Sequence, residues 1–439
     1  MSYVVSMPKV VISGAGIGGL TSALALMKLG FEVQVFEQAP ELGEVGAGLQ
    51  IAPNGSRILM ALGLADQLET VVCEADYKEV RLWNTGERRR LFDLGEDCRK
   101  RFGAPYWFVH RADLHCMLVE AINALAPDAI LTGRTGVSCR ETAKGVELHF
   151  QDGSSASGDV LIGADGVHSR LRGTMFDSPR AEFTGMMSWR GIARMADLPD
   201  DLRGHVGTNW VGPGGHVVTY PLRCGEIMNF AGIVERSDWT VESWSTRGTK
   251  EECARDFANW HPSIHHMIGV LDRTFKWALL GREPLKSWSR GRVALLGDAA
   301  HPTLPFLAHG AIMALEDAAV LARCLRKRRN GRRSHSSDTK QHASDAPLPS
   351  SMDQLKTGSD FTIRCSPTPA QRGPISTSSG TARGCASAMT GYSSMMPIPC
   401  PWQIFRPRCC KKGNTRDAGS TAGRPRFPTN QLRFIEVDA

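Results

Sequence analysis

Three stretches of this chain end an apolar run on glycine and a polar side chain. They are Ser13-Gly14-Ala15-Gly16-Ile17-Gly18-Gly19, Gly163-Ala164-Asp165-Gly166 and Gly297-Asp298-Ala299-Ala300-His301-Pro302. The first is a G-x-G-x-x-G loop, and each glycine in that spacing has a task. Gly14 permits a tight turn, Gly16 lets the backbone approach a pyrophosphate, and Gly19 lets a helix pack closely on its strand. The helix that follows offers unpaired N–H groups and a positive dipole end to the phosphates. Glu37 closes the next apolar run, near the roughly 20-residue offset expected of a carboxylate that binds ribose hydroxyls. In a doubly wound sheet, ligands collect outside the carboxyl ends of the strands. Three such ends imply a ligand longer than one nucleotide, with its adenosine end at Glu37 and its far end near Asp298. There an acid can accept hydrogen bonds from a polyol, and a helix beginning near Gly310 aims its positive end at the far ring system.

These residues need elements to hold them. Val10-Val11-Ile12 reads as a strand, Leu20 to Leu29 as a helix ended by Gly30, and "EVQVFE" as a second strand, which together make a βαβ unit. "EVGAGLQIAPNGSRILMALGL" reads as a Gly-rich loop and a helix with Asn54 available as its cap. "EVRLWNTGERRRLFDL" reads as a hairpin turning at Asn84-Thr85-Gly86. "VHRADLHCMLVEAINALA" is a strand end, a lone Arg111 and a helix, and "GVELHFQDGSSASGDVLIGADG" is two strands around an Asp-Gly turn. From Phe176 to about Leu285 the text is antiparallel in character, with "MMSWRGIARM", "GGHVVTYPLR" and "IMNFAGIV". The expected fold class is α/β: a Rossmann-like dinucleotide-binding domain with a parallel sheet, plus a mostly antiparallel β-sheet domain (α+β). The expected boundaries are 1–175 for the first part of the dinucleotide-binding domain, 176–285 for the second sheet, 286–325 for the completing part of the first domain, and 326–439 for an atypical basic tail.

Charge and cysteine usage bound the function. The net charge of +7 resides in the tail: residues 326–439 hold 19 Lys and Arg against 7 Asp and Glu, leaving residues 1–325 at −5. A mildly acidic globular part excludes a nucleic-acid surface as the main function. The 12 cysteines show no C-x-x-C pair and no zinc spacing, so the thiols read as reduced and no metal is expected. "HPSIHH" at 261–266 lacks Cys or carboxylate partners and reads as an exposed helix start. No basic leader precedes an apolar core, and no apolar run approaches the ~18 residues of a membrane span. The expectation is a soluble, cytoplasmic protein of undetermined oligomeric state.

With these motifs in place, residues 8 to 325 resemble the class A flavin-dependent aromatic monooxygenases, the class of salicylate hydroxylase and 3-hydroxybenzoate 6-hydroxylase. "GDAAHP" followed by "ALEDA" carries the most specific part of the likeness, supported by "VGAGLQIAPN", "HRADL" and "VVTYPLR". The resemblance implies FAD held at Gly14, Gly16 and Gly19, with Glu37 at the adenosine ribose and Ala47 and Gly48 lining the flavin loop. Arg111 would reach the phosphates or ribityl chain, and Asp165 would serve FAD and transient NAD(P)H. Asp298 would bind the ribityl chain, and the Gly310-Ala311 backbone the pyrimidine edge of the flavin. Arg190 and Tyr220 would act on a small aromatic substrate. The implied reaction uses O2 and NAD(P)H and hydroxylates a phenolic acid or aromatic polyketide through a flavin C4a-hydroperoxide.

Alternatives stand beside these readings. An epoxidase of a prenylated or terpenoid substrate uses the same scaffold, and a non-catalytic flavin binder would follow from a disabling tail. Arg190 suits a phenolate because its guanidinium stays charged and forks onto oxygen; it also suits an ion pair on the sheet face. Tyr220 fits the site or a half-buried strand. His301-Pro302 shapes its loop. His309 departs from the Gln that the family leads one to expect. The Ser-, Pro-, Arg- and Cys-rich text after Leu325 also departs from it and reads as disordered, like out-of-frame or intronic sequence.

Overall fold

The computed structural model describes residues 7–43, 48–236, 246–283, 285 and 287–338. Its first layer is a six-stranded sheet in the order Ser289–Arg290, Val293–Leu295, Val160–Gly163, Lys9–Ser13, Glu32–Phe36, Ile130–Leu131. Its pairings are parallel except for the edge strand Ser289–Arg290. Val10, Ile12, Val160 and Ile162 are buried on the face that carries the main core, as expected of a sheet covered by helices. Helix Ile17–Lys28 lies on that face, and a long helix beginning at Gly310 packs over it. Gly18 eases this approach, since a Cβ there would sit 3.1 Å from Ala314 Cβ on the long helix. Residues 286–325 thus return to the first sheet.

The second layer is an eight-stranded sheet in the order Arg247–Gly248, Thr274–Gly281, Glu182–Arg194, Ile227–Glu235, Gly215–Leu222, Val206–Gly212, Tyr77–Leu82, Arg88–Asp93. All its pairings are antiparallel save one, where Tyr77–Leu82 runs parallel to Val206–Gly212. One face packs Trp189, Trp210, Val217, Met228 and Phe230 against helices Lys250–Asp256 and Pro262–Val270. The opposite face looks toward the first sheet. The Arg223 guanidinium spans the two layers, donating to both oxygens of Asp113 at 2.9 and 2.8 Å.

Four expectations need correction. The hairpin 77–93, placed by sequence within the first part of the FAD-binding domain, is two edge strands of the second sheet. Its alternation buries Glu79 and Arg81 as a pair, and Glu79 also accepts from the Thr208 hydroxyl. Asn54 does not cap its helix, which starts at Pro53 after Ala52; its amide donates to Glu316 Oε1 at 2.9 Å instead. The run through Val146 to Gly163 is three strands, because Val146–Phe150 and Ser155–Gly158 pair in a separate small sheet with Gly136–Glu141. The helix from Gly310 continues to Asp338, past the end of its apolar period. Arg and Lys favour a helix without an apolar face, so the basic run extends it. The remainder of the tail, from 339 on, lies outside the described residues.

No helix among the described residues is long and apolar enough to cross a membrane, and none of their His, Cys, Asp and Glu form a metal-binding group. In "HPSIHH" the His261 ring caps helix Pro262–Val270 by accepting from the Ser263 N–H.

Candidate functional site

The glycine loop has the geometry that its spacing predicts. Gly14 sits at φ +105°, in the left-handed region, and a Cβ there would be 2.3 Å from the Ala164 carbonyl oxygen. A Cβ on Gly19 would be 2.0 Å from the Gly14 carbonyl oxygen, so helix and strand touch through bare backbone. At Gly16 a Cβ would meet nothing within 4 Å, and Gly16 leads helix Ile17–Lys28 with no side-chain cap. The first turn therefore presents its N–H groups to open space, as an anion site requires. Glu37 lies beside this loop and accepts from Ala15 N at 2.7 Å and Ala39 N at 2.9 Å. Those two bonds leave further lone pairs for ligand hydroxyls.

Arg111 begins helix Arg111–Asn123, and its charge reaches Asp298. One turn on, buried His115 meets the Ala15 carbonyl at 2.8 Å and holds the glycine loop from behind. Asp298 is accessible from the cleft yet deep enough that desolvation pushes its carboxyl upward, opposed by Arg111 and His301. A Cβ on Gly310 would lie 3.9 Å from Asp298 Oδ1, so the acid and the helix start adjoin. Asp317 fixes the loop between them, accepting from Gly297 N at 3.0 Å and meeting His301 Nε2 at 2.6 Å. At the third strand end, Asp165 Oδ2 accepts from Arg170 N at 3.0 Å, while its Oδ1 is buried with no partner. Burial pushes this carboxyl upward as well. Ala47 lies outside the described residues.

The sheet supplies the opposite wall. Tyr220 is buried and stacked on Phe108 at 5.0 Å between ring centroids. A Cβ on Gly48 would sit 2.7 Å from the Tyr220 hydroxyl, so this glycine lets the phenol reach the start of strand Gly48–Ile51. Burial pushes the Tyr220 hydroxyl above the usual tyrosine range, with Arg190 pulling weakly the other way. Arg190 is 9% exposed and its guanidinium lies 3.4 Å from the Trp277 ring centroid, on the side away from Tyr220. His216, on the same strand and face as Tyr220, packs edge-on against Phe306 of the 302–309 loop at 5.6 Å. Desolvation lowers the His216 imidazole to about 4, which makes it neutral at physiological pH. His309 precedes the long helix, and burial and then the charge of Lys78 push it downward, against the Leu307 carbonyl.

The structure thus sets Gly14, Gly16, Glu37, Asp165 and Asp298 at or just beyond the carboxyl ends of strands of the first sheet, with Gly19 packed against Gly14, Gly310 and then Ala311 starting the helix beside Asp298, Arg111 within electrostatic reach of that acid, and Gly48 against Tyr220. Arg190 is the outlier of the set, because it leans toward Trp277. Several contributors have weaker signals in the sequence. The Arg172 guanidinium is 1% exposed and donates to the Ala300 carbonyl at 2.8 Å and the Glu283 carbonyl at 2.5 Å, tying the Asp165 segment to the Asp298 loop. The Tyr106 hydroxyl donates to Gln50 at 2.9 Å beneath the aromatic wall. His115 could have been found from its i,i+4 spacing to Arg111.

A family model described as an FAD binding domain matches residues 7–347. A 3-amino-4-hydroxybenzoate 2-monooxygenase of Streptomyces platensis is 40% identical over 316 residues, covering 72% of this chain and 78% of that protein. A 3-hydroxybenzoate 6-hydroxylase of Polaromonas naphthalenivorans is 38% identical, covering 73% and 80%. Among solved structures, Klebsiella pneumoniae HpxO complexed with FAD and uric acid superposes with a TM-score of 0.66 at 34% identity, covering 73% of this chain and 80% of that one.

Proposed function

The chain belongs to the FAD-dependent aromatic monooxygenases, and on that premise we propose that it hydroxylates the ring of a phenolic acid, with NAD(P)H as reductant and O2 as oxidant. The observation that carries this reading is the Tyr220 hydroxyl, buried among aromatic rings and pressed against Gly48 of the flavin loop.

The residues present fit FAD. Gly16 leaves a cradle that a methyl would begin to fill, and the helix start behind it is uncapped. Asp165 Oδ1 is a buried acceptor with no partner, suited to a ligand hydroxyl. In this reading the N–H groups after Gly16 hold the pyrophosphate, Glu37 the ribose, and Asp298 the ribityl hydroxyls. Arg111 balances the charge of Asp298, and the Gly310-Ala311 N–H groups face the pyrimidine edge. When bound and reduced, FAD supplies the activation of O2 that delivers an electrophilic oxygen.

The protein's share is orientation, exclusion of water and control of charge. Tyr220 remains a neutral phenol, so it positions a substrate oxygen by hydrogen bonding and takes no proton. Neutral His216, four residues earlier on the same face, can accept the proton of a ring hydroxyl, and loss of that proton leaves the ring more electron-rich. Arg190 acts on that oxygen as a nearby positive charge, steadied by Trp277. Phe306 and the 302–309 loop close the cleft over the ring.

The test is purification with FAD, followed by NAD(P)H oxidation with 3-hydroxybenzoate, 3-amino-4-hydroxybenzoate and 6-hydroxynicotinate. The expected product of at least one is heavier by a single oxygen atom. Reductant consumption that yields only hydrogen peroxide with every phenolic acid tried would overturn the proposal.

A further inference from the structure

Lys78 stands out because a half-buried cation set among aromatic rings ordinarily has an anion beside it. It lies on strand Tyr77–Leu82, opposite Gly207 in the parallel register with Val206–Gly212. Gly207 lies one step beyond the Thr208–Thr219 pair, which places it between Lys78 and Tyr220 across the sheet. Adjacent strands are roughly 4.8 Å apart, so the Lys78 and Tyr220 backbones are about 10 Å from each other. Gly207 has no side chain to fill that interval. A Cβ there would be 2.9 Å from Phe108 Cζ and 3.3 Å from Lys78 Cγ, so Phe108 and the lysine stem lie over it. Lys78 therefore points to the same face as Tyr220, toward the cofactor edge.

Its surroundings are aromatic. The ammonium is 5.5 Å from the Tyr106 ring centroid, and its charge is felt by His309 at the start of the long helix. Among the described residues it makes no hydrogen bond and no ion pair. Enclosure pushes it down to about 8, which still leaves most molecules protonated at pH 7. Holding a half-buried charge among aromatic rings with no carboxylate beside it costs stability, a cost that a ligand anion would reduce. Glu79, the adjacent acid, cannot do so, because it faces the other side of the strand and pairs with Arg81 at 2.6 Å. Arg190, four strands away, is a poorer anchor for a carboxylate, since its guanidinium is already seated on Trp277 of the next strand beyond.

We propose that Lys78 is the specificity-determining residue for the substrate's anionic group: its ammonium binds the carboxylate of an aromatic acid whose ring lies beside Tyr220 and below His309. This rests on the aromatic-acid reading above and sharpens it by assigning the carboxylate to one residue. The geometry makes the ring hydroxyl and the carboxylate point to opposite sides of Tyr220, the hydroxyl toward His216 and Arg190 and the carboxylate toward Lys78.

The experiment uses the FAD-loaded full chain and follows flavin absorbance during titration with 3-hydroxybenzoate, 3-amino-4-hydroxybenzoate and their carboxamides. Wild type should bind at least one acid tighter than its amide by about tenfold to a hundredfold, the range of a hydrogen bond to a charged group. Lys78→Met should erase that ratio by weakening the acid while leaving amide affinity and FAD content in place. Lys78→Arg should restore part of it, and serves as the second variant if Lys78→Met folds poorly. An unchanged acid-to-amide ratio in Lys78→Met, with both ligands still bound, would overturn the role of Lys78 and leave the aromatic-acid reading standing. Wild type that binds every amide as well as its acid, or binds none of the four, would overturn both.

Discussion

Two of the loop glycines invite a paired substitution with opposite outcomes. Gly19→Ala places a methyl 2.0 Å from the Gly14 carbonyl oxygen, well inside contact distance, and the obstructing atom is backbone. Neither partner can rotate away, so strand and helix must separate by more than 1 Å, roughly, to restore an ordinary carbon–oxygen contact. Overpacking of this kind costs typically 1–3 kcal/mol, and a backbone partner puts it at the upper end. The gain in helix propensity from Gly to Ala returns only about 1 kcal/mol, so a net loss of about 1–2 kcal/mol in the protein without FAD is expected. Gly16→Ala is the contrast. Its φ of −72° and ψ of 178° suit any residue, and its Cβ meets nothing within 4 Å. Stability without FAD should be unchanged or higher by up to about 1 kcal/mol, because alanine narrows the unfolded ensemble. The same methyl occupies the cradle, so FAD should bind more weakly by about 1–3 kcal/mol, roughly fivefold to a hundredfold or more. Chemical denaturation of FAD-free protein and a flavin-fluorescence titration separate the two effects. A Gly16→Ala protein with wild-type FAD affinity, or a Gly19→Ala protein of undiminished stability, would refute the reading of this loop.

Other outcomes follow from the same site. Asp298→Ala should weaken FAD by about 1.5–3 kcal/mol, tenfold to a hundredfold by equilibrium titration, with little change in folding, because the carboxyl faces the cleft. Arg190→Lys should retain FAD yet lose coupling: NAD(P)H is consumed, hydrogen peroxide appears, and product formation falls by about 2–4 kcal/mol of barrier, since lysine lacks the planar guanidinium that stacking on Trp277 holds in place. Wild-type coupling in that variant would make Arg190 a structural partner of Trp277. The His301–Asp317 contact gives a pH signature. Asp317 lifts the imidazole above its usual value against desolvation. A folded-state pKa raised above the unfolded one contributes stability fully present below about pH 6.5, and that stability is lost as pH rises through the folded value. Denaturation of the FAD-free protein should therefore show stability falling above pH 6.5 in wild type, and a flatter profile in Asp317→Asn.

What the sequence made legible was local. The backbone geometry at Gly14, Gly16 and Gly19 follows from a few contacts around one βαβ unit, and each appears in the structure as a Cβ clash or a void. Asp298 and the Gly310 helix were readable together because only a short loop separates them. Pairing across long stretches of chain was not readable. The hairpin 77–93 has the same alternation in either layer, and only its parallel register with 206–212 assigns it to the second sheet. The burial of Arg172 was hidden for a similar reason: its partners are carbonyl oxygens more than a hundred residues away. Arg190 looked like an open cation until the Arg190–Phe275 register set it beside Trp277.

Burial and charge in this cleft also point to one kind of occupant. Desolvation keeps Tyr220, His216 and His309 in their neutral forms, so none of them adds charge at neutral pH. The same effect raises Asp298 and Asp165, which weakens the hold of both acids on their negative charge. Of the cations, Arg111 lies close enough to Asp298 to be partly offset, and Arg190 is spread over an indole face. Lys78 remains as the positive charge that no described carboxylate balances. An uncharged aromatic would leave it in place, and a cationic one would be repelled. The aromatic anion proposed above would complete the charge of the pocket, just as a pyrophosphate would complete the uncapped helix after Gly16. The two ends of the cleft therefore ask for negative charge by different means: one by backbone N–H groups, which no side-chain truncation removes, and the other by a single lysine, which one truncation does.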